Sequence, residues 1–298
     1  MLCSHGKLED NSLNFVLHLN FRFSDAMLGF MPIDTFYFTS MRDPAYQLKS
    51  AYTYFNAQRC FNLDYKQFLH KLDEKSLNVG NCQAFMYMWL NNGQVFDLGL
   101  DTENLSETKD REKVLDKINE IDKQFGIVII LERLDESLIV LRDFLNWTTE
   151  DIVYLKKNFQ MKVSGKDETI YTQLEKSVAR SWNWADVLAY NHFRDKLDRT
   201  IEAHPEYYQE QVKHLQHRKS LWNSRCVKGV VPLSALNTSY SQNYPEATGT
   251  YVLTSKGKKL DRCAHLVMTE VAKIRLLNSG HTIDSATYSK VLNATIVL

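Results

Sequence analysis

The chain has 298 residues, 44% hydrophobic and 24% charged, which is ordinary globular usage and excludes collagenous, disordered and mini-protein readings. Its 36 Lys and Arg balance 36 Asp and Glu, so no net field points to nucleic acid as a partner. Only 5 Pro and 11 Gly, with no Ser-rich or Gln-rich tract and no internal repeat, leave no linker, and one continuous domain over 1–298 is expected.

At the N-terminus, Met1-Leu2-Cys3-Ser4-His5-Gly6-Lys7 lacks a charged segment followed by an apolar one. The first clear element is Thr35-Phe36-Tyr37-Phe38-Thr39-Ser40-Met41, a β-branched and aromatic run that reads as a buried strand. It stops at Arg42-Asp43-Pro44. Asp43 suits an N-cap and Pro44 a first helical position, and Leu48, Tyr52 and Phe55 then recur along one helical face. Asp97 and Asp101 follow a short apolar stretch, where they either touch a ligand or cap local backbone.

Glu112 to Lys123 reads as an amphipathic helix leading into Phe125-Gly126-Ile127-Val128-Ile129-Ile130-Leu131, an apolar run suited to a parallel strand buried on both faces. Glu132 and Asp135 stand at that strand's C-terminal end, where α/β sites gather, and Asp135-Glu136-Ser137 is expected to cap a helix over Leu138 to Leu145. Thr148-Thr149-Glu150-Asp151 looks like another helix start. From Gln173 to about Trp222 the pattern is almost wholly helical, with Trp182, Asp186, Tyr190 and Phe193 along one side, of which Trp182, Tyr190 and Phe193 read as a core stripe. His214 and His217, three apart on a polar helix, read as a solvated face. The expected class is three-layer α/β with a helical C-terminal half.

Five cysteines (Cys3, Cys60, Cys82, Cys226, Cys263) contain no C-x-x-C pair and no His/Cys ligand spacing, so no metal site is expected. Sequons at Asn104, Asn146, Asn237 and Asn293 would suit a lumenal chain. Walker-type G-x-x-x-x-G-K-[ST] is missing: Gly6-Lys7, Gly165-Lys166 and Gly257-Lys258 are each followed by the wrong residue.

The chemistry concentrates at Arg42. A fork-shaped cation at the end of a parallel strand, beside the free N–H groups of a helix start, is a phosphate-binding geometry. Ser50, about two turns into the helix, could add a hydroxyl donor to the same anion. On the dipeptide alone, an ion pair between Arg42 and Asp43 at a helix start competes with this reading.

The longer pattern narrows it. Met31-Pro32, Phe36-Tyr37-Phe38-Thr39, Arg42-Asp43-Pro44, Ser50 and Tyr54-Phe55 together resemble the 3'-phosphate-binding segment of the galactose 3-O-sulfotransferases, a Golgi family acting on glycolipids and glycans. Val95-Phe96-Asp97-Leu98-Gly99-Leu100-Asp101, Ile127 to Trp147, Ala179-Arg180-Ser181-Trp182-Asn183 with Tyr190-Asn191-His192-Phe193, and the cysteines Cys226 and Cys263 are similar to later segments of that family, in order from about His18 to Leu277.

The resemblance implies a mainly parallel, P-loop-like sulfotransferase sheet. It also implies transfer of a sulfuryl group from 3'-phosphoadenylyl sulfate (PAPS) to the 3-hydroxyl of a galactose on a glycolipid, galactosylceramide included, or a glycan. Arg42 and Ser50 carry over as the 3'-phosphate clamp, and His18 as the base that deprotonates the sugar. The family's earlier strand and its Lys-, Gly-, Ser- and Thr-rich loop around the 5'-phosphosulfate have no counterpart before His18, and neither does its Golgi-membrane anchor. An N-terminally truncated member is therefore expected, with a catalytically inactive donor-binding or interaction module of the same fold as the alternative.

Val227 to Arg262, flanked by Cys226 and Cys263, is richer in Ser, Thr, Tyr and Gly than its surroundings and contains Pro232 and Pro245. It reads as a long excursion from a helical body, and a disulfide between Cys226 and Cys263 is expected to anchor it.

Overall fold

The structure, a computed structural model, describes residues 22–82, 86–157, 171–232 and 248–268. The chain divides into two compact units: Met1–Asp151 with Ile170–Gln209, and Ile152–Thr169 with Glu210–Leu298.

In the first unit, strands β1 (Tyr37–Met41) and β2 (Phe125–Ile130) pair in parallel, Tyr37 opposite Phe125 and Met41 opposite Ile130. A Cβ on Gly126 would lie 2.2 Å from the Phe36 ring, so only glycine lets that ring lie against the strand. β2 is nearly all buried, as its apolar run requires. β1 starts two residues later than predicted, and of its residues Met41 is buried, Tyr37 to Thr39 are partly buried and Ser40 is exposed.

After α1 (Asp25–Phe30) and β1, helix α2 (Pro44–Tyr54) opens as the sequence predicts: the Asp43 carboxylate accepts from the Ala45 N–H at 3.0 Å, and Pro44 occupies the first turn. Ala45, Leu48, Ala51 and Tyr52 form its buried face. Helix α3 (Ala57–Phe61) and helix α4 (Tyr65–Asp73) follow, the latter started by a capping box between Asp64 and Gln67. Phe68, Leu69 and Leu72 of α4 meet the α2 face in one core cluster. A disulfide joins Cys60 to Cys82, a pairing the sequence reading did not anticipate.

A short helix α5 (Gly93–Asp97) precedes helix α6 (Glu107–Gln124), longer than the predicted Glu112–Lys123. Helix α7 (Leu134–Phe144) starts four residues before the predicted Leu138. Asp135 and Glu136 therefore lie inside its first turn, where they complement the helix dipole rather than cap. The Ser137 hydroxyl instead accepts from the Ile130 N–H at 3.1 Å, tying helix to strand. Thr148 to Asp151 is a turn, not a helix start: the Thr148 N–H and hydroxyl both bond the Asp151 carboxylate, and no helix follows among the described residues up to Lys157.

The predicted helical stretch from Gln173 resolves into α8 (Gln173–Trp182), α9 (Trp184–Glu202) and α10 (Pro205–Cys226), interrupted at Asn183 and just before Pro205. Helices α6, α7 and α9 pack on β2. Tyr190 and Phe193 of the predicted core stripe are buried and Trp182 partly so, while His214 and His217 are exposed.

In the second unit, β3 (Val227–Pro232) and β4 (Gly249–Leu253) form an antiparallel ribbon, followed by helix α11 (Asp261–Val267). The predicted excursion thus contains regular structure, because Val230 and Val231 pair with Tyr251 and Thr250, residues that favour a pleated surface. The expected bond between Cys226 and Cys263 is present, with Cα atoms 5.3 Å apart. Together the described residues form a mixed α/β protein, mostly helical, with two two-stranded sheets. Among them, no helix is long and apolar enough to cross a membrane.

Candidate functional site

Parallel pairing of β1 and β2 brings the residues that follow each strand to one end of the sheet. Arg42 follows β1 directly, and Glu132 lies two residues beyond the end of β2. The Arg42 side chain is 37% exposed, with Nε 4.0 Å from Glu132 Oε1 and the guanidinium 5.9 Å from the centre of the Tyr46 ring. A long, half-solvated ion pair of this kind contributes little to stability, so an arriving anion can replace the carboxylate at small cost.

Asp43 does not pair with Arg42, the competing reading of the dipeptide. Its carboxylate is clamped by Arg180 of α8, Nη2 to Oδ2 at 2.5 Å and Nε to Oδ1 at 3.1 Å. Glu132 accepts from the Asp43 N–H at 3.0 Å and from the Tyr190 hydroxyl at 3.1 Å. Burial beside that carboxylate pushes the Tyr190 hydroxyl well above its ordinary pKa, which keeps it a donor.

The backbone does not take the part expected of it. Asp43 N–H is held by Glu132, Ala45 N–H by the Asp43 side chain, and Arg42 N–H by Gln94 Oε1 at 2.7 Å, while Pro44 has no N–H. The N–H groups of Arg42, Asp43 and Ala45 are therefore already engaged and not free for an anion. Ser50 is exposed on α2, eight residues after Arg42, and Lys49 and Lys176 lie over the Tyr171 ring nearby at 4.8 and 5.8 Å. His18 lies outside the described residues.

Behind Arg42 sits a polar junction. Gln94 Nε2 donates to the Arg42 carbonyl at 2.9 Å, completing a two-bond bridge to the Arg42 peptide groups. Asp186 of α9, 2% exposed, accepts from Val95 N–H at 2.8 Å and Gln94 N–H at 3.3 Å, and its Oδ2 lies 3.5 Å from Gln94 Nε2. Burial raises its pKa to about 7. Asn92 and Asn183 tie the same segments together: Asn92 N–H donates to Asn183 Oδ1 at 2.6 Å, and Asn92 Oδ1 accepts from Ala185 and Asp186 N–H. Asp97 is exposed at the end of α5, and Asp101 caps local backbone by accepting from the Glu103 N–H.

Sequence reading singled out Arg42 and Asp43 but not Gln94, which stands beside a recognisable segment and carries no signal of its own. Arg180 and Asn183 lay inside segments similar to the family without an assigned role, and Tyr190 was read only as core. Among the described residues no His, Cys, Asp and Glu group is arranged to hold a metal.

A family model described as Galactose-3-O-sulfotransferase matches residues 9–279. The chain belongs to the galactose-3-O-sulfotransferase family. Relatives include mouse Galactose-3-O-sulfotransferase 2, 29% identical over 72% of this chain and 53% of its own length. Human Galactosylceramide sulfotransferase is 28% identical over 71% of this chain and 49% of its own length, and mouse Galactose-3-O-sulfotransferase 3 is 29% identical over 86% and 62%. The chain thus spans about half to three fifths of the curated relatives it matches. No solved structure matches it.

Proposed function

We propose that this chain is a carbohydrate sulfotransferase that moves a sulfuryl group from PAPS to the 3-hydroxyl of a galactose on a glycolipid or glycan. Family membership supports the reaction class, and the names of the relatives support galactose and galactosylceramide as acceptors. The observation that carries the donor side is Arg42: a half-exposed guanidinium at the C-terminal end of a parallel strand, in a family segment read as the 3'-phosphate site, with only a long ion pair to displace. When bound, the donor supplies the activated sulfuryl group. Arg42 and Ser50 hold its 3'-phosphate, and His18 takes the proton of the galactose hydroxyl as that oxygen bonds to sulfur and the bond from sulfur to the phosphate oxygen breaks.

The same reading extends the β1–β2 pair to the three-layer, mainly parallel, P-loop-like sheet of sulfotransferases, and treats 1–298 as one sulfotransferase domain, since the family match runs through both units. It places the protein on the lumenal side of the Golgi membrane. Two disulfides suit an oxidising compartment, and the sequon residues Asn104 and Asn146 are exposed.

Calorimetry with adenosine 3',5'-bisphosphate and adenosine 5'-monophosphate tests the donor site. Arg42→Ala should weaken the bisphosphate by about 1.5–3 kcal/mol, the range for a hydrogen bond to a charged group, and leave the monophosphate unchanged. Equal losses for both ligands refute a 3'-specific role for Arg42.

A further inference from the structure

The strand ladder of β1 ends at Met41, paired with Ile130, so the next peptide group has lost its strand partner at the residue whose side chain must be aimed. Gln94 replaces that partner. Its side-chain amide offers one acceptor and one donor, and both are used on Arg42: Oε1 receives the Arg42 N–H at 2.7 Å and Nε2 donates to the Arg42 carbonyl at 2.9 Å. A primary amide facing a peptide in this way has the hydrogen-bonding pattern of a further strand.

An amide can flip, and flipping would set donor against donor. Asp186 opposes the flip, because its Oδ2, which already accepts from the Gln94 N–H, lies 3.5 Å from Nε2 and favours the N–H end of the amide over Oε1. The carboxylate is itself fixed by the Val95 and Gln94 backbone N–H groups, and its helix is held to the 91–95 segment by the reciprocal bonds of Asn92 and Asn183. Three stretches of chain, around 42, 94 and 186, thereby converge on one peptide.

We propose that Gln94, oriented by Asp186, is a positioning residue for donor recognition: it fixes the Arg42 backbone and so sets the direction in which the guanidinium meets the 3'-phosphate. This rests on the donor-site reading above. A purely structural explanation would make Asp186 the cap of short helix α5 and Gln94 incidental. Gln94→Ala separates the two, since it deletes the bridge to Arg42 and leaves both backbone N–H groups to Asp186.

The experiment measures binding of adenosine 3',5'-bisphosphate and adenosine 5'-monophosphate to the wild-type chain, Arg42→Ala, Gln94→Ala and Asp186→Asn, with the thermal midpoint of each. Gln94→Ala should reduce the preference for the bisphosphate by about tenfold, in the range for misplacing a recognition group, with monophosphate binding unchanged and the midpoint close to wild type. Asp186→Asn puts an N–H where acceptors are needed and should reduce the same preference. If Arg42→Ala abolishes the preference and Gln94→Ala keeps it, the positioning role is overturned while the donor site stands. If the wild type itself does not prefer the bisphosphate, the donor-site reading fails and this inference fails with it.

Discussion

Asp186 is an acid whose burial raises its pKa from an ordinary 3.8 to about 7. Unfolded, it releases its proton near pH 4; folded, it keeps that proton until near neutrality. Its contribution to stability is therefore complete below about pH 4, declines as the pH rises to about 7, and is constant above that. Asp186→Asn cannot ionise, so thermal unfolding across this range should show wild type losing midpoint relative to the variant as the pH rises, and a gap independent of pH would refute the shifted titration. His18 is tested by turnover: if it takes the sugar proton, His18→Asn should lower kcat by about two to four orders of magnitude and leave donor affinity nearly unchanged. At this scale, legibility followed locality. Arg42 and Asp43 could be read because a strand end, a cap and a proline are adjacent in sequence, whereas Gln94 acts on a peptide 52 positions away that only the fold brings to it.

The elements divide in the same way. The start of α2 and the β2 strand follow from neighbouring residues, and the structure bears both out. The start of α7 does not, because Ser137 is drawn to the Ile130 N–H of a strand rather than to its own helix terminus. The β3–β4 ribbon was also missed: Gly229 and Pro232 break up the valines of β3, and the Ser-, Thr- and Gly-rich stretch around the strands resembles a loop until the two halves pair. A contrast between two glycines tests how tightly that region is packed. A Cβ on Gly257 would stand 2.9 Å from the Cys226 carbonyl oxygen, a backbone atom with little room to yield, while one on Gly229 would meet nothing within 4 Å. Gly257→Ala should cost about 1–3 kcal/mol in urea denaturation, as overpacking does, and Gly229→Ala should cost much less. Equal costs would mean that the close approach at Gly257 is absent in solution.

For the molecule as a whole, the two disulfides matter most to survival outside a reducing compartment. The Cys226–Cys263 bond spans 37 positions, a closure that stabilises by about 4 kcal/mol in the chain-entropy estimate. Replacing both cysteines by Ala should lower the denaturation free energy by roughly that amount, less any relief of strain, and an unchanged midpoint would show the bond to be dispensable. Each bond also begins and ends inside one compact unit, Cys60–Cys82 in the first and Cys226–Cys263 in the second. The first unit's last segment closes at Gln209, before Cys226 in the chain. A nascent chain growing from its N-terminus can therefore seal Cys60 to Cys82 before either later thiol has been made, so that the order of translation removes two of the competitors for the earlier pair.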